Sequence, residues 1–184
     1  RLLGRHNVDN VLAACALAGV AGADVEAMAA VATTFSGVEH RLELVREING
    51  ARWYNDSIAT SPERLVAALR SFDEPIVLLA GGRDKHLPWN EAAALILHKV
   101  RHLVLFGEAV PIIDRAVAAE RGGDEAWGGP EITGVSTLEE AVAAAVQVAR
   151  AGDVVLLAPG CTSFDAFQDF AARGERFRKL VKQL

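Results

Sequence analysis

Beyond residue 61, short apolar segments alternate with segments of helical periodicity, and this alternation constrains the fold more than any other feature of the sequence. The pattern predicts strands over residues 76–80, 102–106 and 154–158, with a weaker strand near Ile132. It predicts helices over residues 62–72, 89–100, 109–121 and 138–150, and a last helix from residue 164 to the end. Because the strand segments are apolar without polar alternation, each is expected to be buried on both faces. The sequence therefore predicts a Rossmann-like, doubly wound α/β fold with a mostly parallel sheet.

The first 60 residues follow a different pattern. Apolar and small residues recur at helical spacing over residues 8–19, behind Asn7 as a candidate N-cap, and again over residues 24–33. These two segments predict an N-terminal helical annex. Strand-like residues 42–48 and 51–54 then flank Asn49 and Gly50, a pair typical of two-residue hairpin turns, which predicts an antiparallel edge on the sheet. Residues 122–130, rich in glycine and acidic side chains, predict a mobile surface loop.

The composition limits the classes of function. With 51% hydrophobic residues and 6% aromatic residues, the 184-residue chain can bury one core. A formal net charge of -5, with Lys and Arg scattered, offers no basic stripe to a nucleic acid. No apolar run reaches the ~18 residues of a membrane span. The two cysteines lie far apart in the sequence, and we find no pattern of a signal segment before them. The five histidines show no metal-ligand spacing. We therefore expect a cytoplasmic protein with no membrane insertion and no metal site of its own. We also expect a monomer, although none of these features determines the oligomeric state.

Two polar segments follow predicted strands, where ligands of doubly wound folds bind. Residues 55–62 place Asp56 directly after a strand, where a carboxylate can accept hydrogen bonds from a ribose. Residues 81–86 combine paired glycines with Arg83 and Lys85, which supply cations to an anionic group. The alternatives are an ordinary helix start at Ser61 and a tight turn with solvated charges. Neither a GxGxxG fingerprint nor a phosphate loop is present in the sequence.

Two further segments complete the candidate site. Residues 158–165 run from a strand into the last predicted helix, where Thr162 or Ser163 is expected to cap the helix and its free N–H groups can bind a carboxylate. A position beside a helix N-terminus can lower the pKa of Cys161, although no histidine adjoins it in sequence. Residues 38–42 add His40 and Arg41, which singly are more typical of a surface.

Taken in order, these segments resemble the Mur ligase family, and the resemblance covers nearly the whole chain. Residues 4–7, Gly-Arg-His-Asn, are similar to the segment that closes the family's central ATPase domain. The Asn-Asp-Ser pattern at 55–57 and the S-F-D-x-F pattern at 163–167 resemble the members that add D-glutamate. The D-N-P-R motif of the diaminopimelate- or lysine-adding members and the Tyr-Ala-His-His stretch of the alanine-adding members are absent. The resemblance implies that residues 1–36 are the helical tail of the central ATPase domain and residues 37–184 the C-terminal domain.

The resemblance also implies a reaction and a set of binding residues. It implies an ATP-dependent, Mg²⁺-requiring amide ligase that adds D-glutamate to UDP-N-acetylmuramoyl-L-alanine through an acyl phosphate in peptidoglycan synthesis. The implied ATP-binding residues are Asn7, Arg41 and Asp56, and the implied D-glutamate-binding residues are Thr60, Lys85, Ser163, Phe164 and Phe170. The phosphate loop, the magnesium ligands and the UDP-binding domain of the family are not among these 184 residues, so the chain is expected to hold half a site and to be inactive alone.

Two positions depart from the family pattern, and other functions stay open. Ile58 stands where many relatives have Lys, which removes a cation expected near ATP, and Gly160 replaces the commoner Ala, which is expected to matter little. A folylpolyglutamate-type or other amide ligase would share the architecture and differ in its loops. A noncatalytic Rossmann-like binding module would bind its ligand without another domain, and a structural interaction domain would bind none.

Overall fold

The computed structural model describes residues 4–122 and 129–184, and its strands form one six-stranded sheet. The strands are β1 (Glu43–Ile48), β2 (Ala51–Asn55), β3 (Ile76–Gly81), β4 (Val100–Phe106), β5 (Glu131–Gly134) and β6 (Val154–Gly160). The helices are α1 (Arg5–Val20), α2 (Val25–Thr34), α3 (Pro62–Leu69), α4 (Asn90–Lys99), α5 (Val110–Arg121), α6 (Leu138–Val148) and α7 (Phe170–Lys182).

The sheet has the order β1-β2-β6-β3-β4-β5, and only β1 runs antiparallel to its neighbour. The hairpin between β1 and β2 turns at Asn49 and Gly50, whose φ values are 51° and 80°. Both are the positive values that the tight hairpin turn requires, and this explains why Asn and Gly occupy the two positions. The mostly parallel sheet and its antiparallel edge are confirmed.

The central strands are buried on both faces, as their apolar sequences predict. Every residue of β3 and β6 is buried. One core, against α3, α4 and α5, contains Leu65, Ile96 and Ile113, and a second core, on the opposite face, contains Val142 and Phe177 from α6 and α7. The helices therefore cover both faces, and the loops at the carboxyl ends of the strands are left open to a ligand.

The N-terminal annex consists of α1 and α2, which among the described elements make their main contact with each other. Asp24 caps α2 by accepting a hydrogen bond of 2.7 Å from Ala27 N. Asn7 is not an N-cap, since α1 begins at Arg5 behind Gly4 and places Asn7 in its first turn. Several apolar side chains of the annex stay exposed, among them Leu12 at 63% and Val20 at 91%.

The last helix begins at Phe170 rather than near residue 164. Its N-cap is Asp169, whose carboxylate accepts a hydrogen bond of 2.7 Å from Ala172 N. Thr162 and Ser163 were therefore wrongly expected to cap a helix; they lie in an irregular loop between β6 and α7. Most of the loop expected over residues 122–130 lies outside the described residues. Within the described ranges, no helix combines the length and the apolar character that a membrane crossing requires.

Candidate functional site

The loops that carry the candidate residues follow three adjacent strands. Residues 56–61 follow β2, residues 82–89 follow β3, and residues 161–169 follow β6, which lies between the other two. Because the three strands are parallel, their carboxyl ends lie at one edge of the sheet. The fold therefore brings together segments that lie far apart in sequence.

Backbone pairing holds the loop after β3 against the loop after β6. Arg83 N donates to Thr162 O and Thr162 N donates to Arg83 O, both at 3.0 Å, and Thr162 Oγ1 donates to Arg83 O at 2.9 Å. Gly82 permits this approach, because its φ is 118° and a Cβ atom there would lie 2.1 Å from Thr162 O. From the sequence, the paired glycines were explained either by close approach to a ligand or by a tight turn. The structure shows that Gly82 makes room for the protein's own backbone.

Arg173 ties the loop after β2 to the loop after β6 from beneath, and sequence reasoning missed it. Its side chain is fully buried and donates to Ser57 Oγ at 3.1 Å, Ser57 O at 3.0 Å and Thr162 O at 3.0 Å. It also donates to Cys161 O at 3.1 Å. Burial lowers the pKa of Arg173 to about 10, so the guanidinium is still charged at neutral pH. The only sequence signal was an arginine on the inward face of an otherwise amphipathic helix, a position that is usually apolar.

The structure brings into contact two of the residues that were expected to bind D-glutamate. Lys85 Nζ, from the loop after β3, donates a hydrogen bond of 3.3 Å to Thr60 Oγ1, from the loop after β2. Lys85 is exposed, and in the described structure no carboxylate lies within ion-pair distance of its ammonium group. An ammonium group held by a hydroxyl at the edge of a sheet is suited to an incoming carboxylate.

The loop after β6 holds Ser163 and Phe164 in different environments. Ser163 is 2% exposed, and its carbonyl oxygen accepts hydrogen bonds from Ala166 N at 3.1 Å and Phe167 N at 2.8 Å. Phe164 is 61% exposed. Burial raises the pKa of Cys161 to about 12, which is opposite to the lowering expected beside a helix N-terminus. Cys161 is therefore a buried thiol and no nucleophile.

Phe170, on the first turn of α7, lies beside His40. The two rings meet edge to face with centroids 6.4 Å apart, and Phe170 O accepts a hydrogen bond of 2.8 Å from Ser57 Oγ. His40 has a φ of 61°, a backbone conformation that residues other than glycine rarely adopt. Such conformations cluster at functional sites. Asn55 Nδ2 lies 2.9 Å from His40 Nδ1.

Asp56 forms the floor of a small cleft. The residue is 5% exposed, and its Oδ1 accepts a hydrogen bond of 3.1 Å from Leu42 N. Burial raises the pKa of Asp56 to about 6, and the nearby charges of Arg41 and Arg64 oppose that rise. The cleft has a volume of about 200 Å³ and is lined by these three residues together with Leu42, Ile58, Ala59, Ala67 and Ala68. At neutral pH the cleft combines one carboxylate with two guanidinium groups.

Asn7 lines a neighbouring groove, which connects with the cleft through Arg41. The groove has a volume of about 560 Å³ and runs between the annex helices and residues 35–41, with Arg41 in its wall. Asn7 is 9% exposed, and its Oδ1 accepts a hydrogen bond of 3.3 Å from Asn10 Nδ2. The three residues expected to bind ATP therefore lie along one continuous surface, in the order Asn7, Arg41, Asp56.

Gly160 is more important than its replacement of Ala suggests. Its φ is 67°, and a Cβ atom there would lie 2.6 Å from the indole ring of Trp89 and 3.3 Å from Leu65. Trp89 in turn donates a hydrogen bond of 3.3 Å from its Nε1 to Asp84 Oδ1, next to Lys85. The expectation that this departure matters little was wrong, because glycine here makes room for a tryptophan that supports the lysine loop.

No group of three or more His, Cys, Asp or Glu side chains is placed to hold a metal ion within residues 4–122 and 129–184. The cleft over Asp56 contains one carboxylate and two arginines, a set of side chains that does not suit a divalent cation.

The sequence of this chain matches a known family and several curated proteins. Residues 40–161 match the family model for the Mur ligase, glutamate ligase domain. The chain is 50% identical over 184 residues to a UDP-N-acetylmuramoylalanine–D-glutamate ligase of Symbiobacterium thermophilum, and the match covers 100% of this chain and 39% of that protein. It is 46% identical over 181 residues to the ligase of the same name from Acetivibrio thermocellus, with 98% of this chain and 39% of that protein covered.

Solved structures show the same fold at low sequence identity. Folylpolyglutamate synthase of Mycobacterium tuberculosis, complexed with ADP and AMPPCP, has a TM-score of 0.66 at 17% identity, covering 97% of this chain and 41% of that one. A murein peptide ligase of Psychrobacter arcticus has a TM-score of 0.61 at 20% identity, covering 100% of this chain and 38% of that one. The chain thus spans well under half the length of the relatives that it matches.

Proposed function

This chain belongs to the Mur ligase family through its glutamate ligase domain, and on that premise we propose that it is the C-terminal part of an ATP-dependent ligase that adds D-glutamate to UDP-N-acetylmuramoyl-L-alanine. In this proposal residues 37–184 are the domain that receives the amino acid, and residues 1–36 are the helical tail of the preceding ATPase domain. The enzyme would work as a monomer in the cytoplasm, in peptidoglycan synthesis.

The observation that carries this proposal is the position of the loop over residues 56–61. One end of the loop supplies Asp56 to the cleft that contains Arg41, and the other end supplies Thr60 to the contact with Lys85. A ligase of this type must hold a nucleotide and an amino acid side by side, and this loop adjoins both candidate half-sites. The names of the curated relatives favour D-glutamate as the amino acid.

The candidate nucleotide surface has groups suited to ATP. Two exposed guanidinium groups suit its phosphates, and the buried carboxylate of Asp56 suits a ribose hydroxyl. ATP would convert the carboxylate of the UDP-linked substrate into an acyl phosphate, a good leaving group for attack by an amine. We assign Asn7, Arg41 and Asp56 to this nucleotide, and we place the Mg²⁺ ligands and the phosphate loop outside this chain.

The candidate amino-acid surface lies on the Lys85 side of the loop. Lys85 would pair with a carboxylate of D-glutamate, while Thr60 holds the ammonium group of Lys85 in place. Ser163 and Phe164, from the loop after β6, would border the same pocket, with Phe170 at the side nearest His40. His40, which has a strained backbone and contacts Asn55, is a further candidate at the junction of the two half-sites.

The exposed apolar side chains of α1 and α2 support the assignment of residues 1–36 to a neighbouring domain. Val20 and Val25 are 91% and 70% exposed, and α2 has no buried residue. Gly37, with a φ of 105°, lies at the proposed boundary and can absorb a change in domain orientation.

We expect the 184-residue chain to show no ATP hydrolysis, because it supplies only one side of the nucleotide site. The full-length protein should release ADP when UDP-N-acetylmuramoyl-L-alanine and D-glutamate are both present. A coupled assay of ADP release, run with D-glutamate, L-glutamate and L-alanine, tests the substrate. Turnover by the isolated chain above a mock preparation, or full-length activity with L-alanine in place of D-glutamate, would contradict the proposal.

In the full-length enzyme, Lys85→Ala should raise the KM for D-glutamate about tenfold or more, because it removes a charge-assisted contact with a substrate carboxylate. The KM for the UDP-linked substrate should stay unchanged. Lys179→Ala is the matched control, since Lys179 is an exposed lysine that pairs with Glu175 on α7. A D-glutamate KM in Lys85→Ala equal to that of the control would remove Lys85 from the site.

A further inference from the structure

We infer that Arg64 is a second nucleotide-binding arginine, which lines the cleft over Asp56 together with Arg41 and binds a phosphate group of ATP. This inference rests on the proposed function and adds to it a residue that sequence reasoning did not single out. Two separate segments of the chain bring an arginine each to one cleft.

The first guanidinium is brought to the cleft by the segment before β1. Ile58 N donates a hydrogen bond of 3.2 Å to His40 O, which places the neighbouring Arg41 alongside the loop after β2. The second guanidinium arrives from the first turn of α3, where Arg64 Nη1 donates a hydrogen bond of 3.1 Å to Ile58 O. The two arginines therefore reach the same loop from different elements.

Neither arginine forms a direct ion pair with a carboxylate among the described residues, although the charges of both act on Asp56. Some exposed arginines elsewhere are paired: Arg70 with Glu91 and Arg83 with Glu108, both at 2.8 Å. Arg41 and Arg64 form no such ion pair among the described residues, although both line the cleft with Asp56. Two guanidinium groups face one carboxylate there, so the cleft carries a net positive charge and suits an anion.

The remaining lining fits a sugar phosphate better than a free anion. Leu42 N engages Asp56 Oδ1, which leaves Oδ2 to accept a hydrogen bond from a ligand hydroxyl. Ala67 and Ala68, one turn along α3 from Arg64, leave room beside the carboxylate. A ribose against Asp56 and a phosphate between the arginines would use every polar group of the cleft.

The same geometry explains why Ile is accepted at position 58. Arg64 donates to the carbonyl of Ile58, and both residues line the cleft, so the guanidinium lies on the side of the cleft that position 58 borders. A cation is thus supplied to this side of the cleft from α3. In this inference Arg64 supplies the positive charge that Ile58, in place of a lysine, does not.

The test compares four full-length proteins: wild type, Arg64→Met, Arg70→Met and the double variant Arg64→Met with Ile58→Lys. Arg70 is the matched control, because it lies at the other end of α3 and pairs with Glu91 away from the cleft. Arg64→Met should raise the KM for ATP about tenfold with little change in kcat or in the KM for D-glutamate, which is the result of losing a ground-state contact. The double variant should recover much of the ATP affinity, which a merely structural role of Arg64 would not produce.

Calorimetric titration of the same proteins with ADP separates this inference from the proposed function. Wild type should bind ADP about tenfold more tightly than Arg64→Met, whichever amino acid the enzyme uses. Activity with D-glutamate together with equal ADP affinities in wild type, Arg64→Met and Arg70→Met would overturn the role of Arg64 and leave the proposed function standing. ADP binding that depends on Arg64 without any D-glutamate-dependent turnover would overturn the proposed function alone, and no ADP binding by wild type would overturn both.

Discussion

Gly82→Ala is expected to cost about 4 kcal/mol of folding stability, because it combines a backbone penalty with a collision that cannot relax easily. The φ of 118° at Gly82 is strained for any residue with a side chain, and the new Cβ atom would lie 2.1 Å from Thr162 O. That oxygen belongs to the backbone pairing between Arg83 and Thr162, so relief of the collision must separate the loops after β3 and β6. The effect therefore reaches the candidate site as well as the fold.

Gly152→Ala is the matched control for this change. Gly152 also has a positive φ, of 91°, but a Cβ atom there would meet nothing within 4 Å. Urea denaturation of the chain, followed by circular dichroism, should show a loss of about 1 kcal/mol for Gly152→Ala and a much larger loss for Gly82→Ala. In the full-length enzyme, kcat with D-glutamate should fall about a hundredfold in Gly82→Ala, since displacement by about 1 Å is enough to misplace a substrate. Equal stabilities of the two variants would show that the loops separate without cost.

Arg173→Met should destabilise the chain by about 3–5 kcal/mol, although methionine nearly fills the volume of the lost side chain. The loss arises because Ser57 O and Cys161 O would stay buried without the donor that now satisfies them. The guanidinium on α7 joins the loop after β2 to the loop after β6, so an apolar substitute removes the tie between them. Arg173→Lys should recover only part of the loss, because an ammonium group cannot reproduce the planar fork of donors.

Arg176→Met controls for the loss of an arginine from α7. Arg176 pairs with Glu139 on the surface at 2.6 Å, with about half of each side chain exposed, and exposed pairs of this kind contribute about 0.2–1 kcal/mol. Equilibrium unfolding of the three variants measures the differences. A loss in Arg173→Met no larger than that in Arg176→Met would mean that the buried carbonyl groups find water instead, and that Arg173 does not hold the loops.

Much of the fold was predictable because its signals are local. The apolar segments at β3, β4 and β6 each carry their own pattern, and the turn at Asn49 and Gly50 is specified by two residues with φ values of 51° and 80°. The start of α7 was not predictable, because residues 163–169 have no breaker that excludes a helix. Their path is fixed by the pairing of Thr162 with Arg83 and by the cap at Asp169.

The candidate site divides in the same way. The sequence by itself determined which segments carry its chemistry, since the order of the motifs and their places after strands are properties of the chain. Only the tertiary structure decided that Lys85 meets Thr60, that Gly160 makes room for Trp89, and that Arg64 lies over Ile58. It also decided that Arg173, an arginine on an amphipathic helix, is buried beneath the loops rather than solvated. The reason is physical: a strand or turn is favoured by neighbours along the chain, whereas a contact between loops depends on parallel strands that bring distant residues to one edge of the sheet.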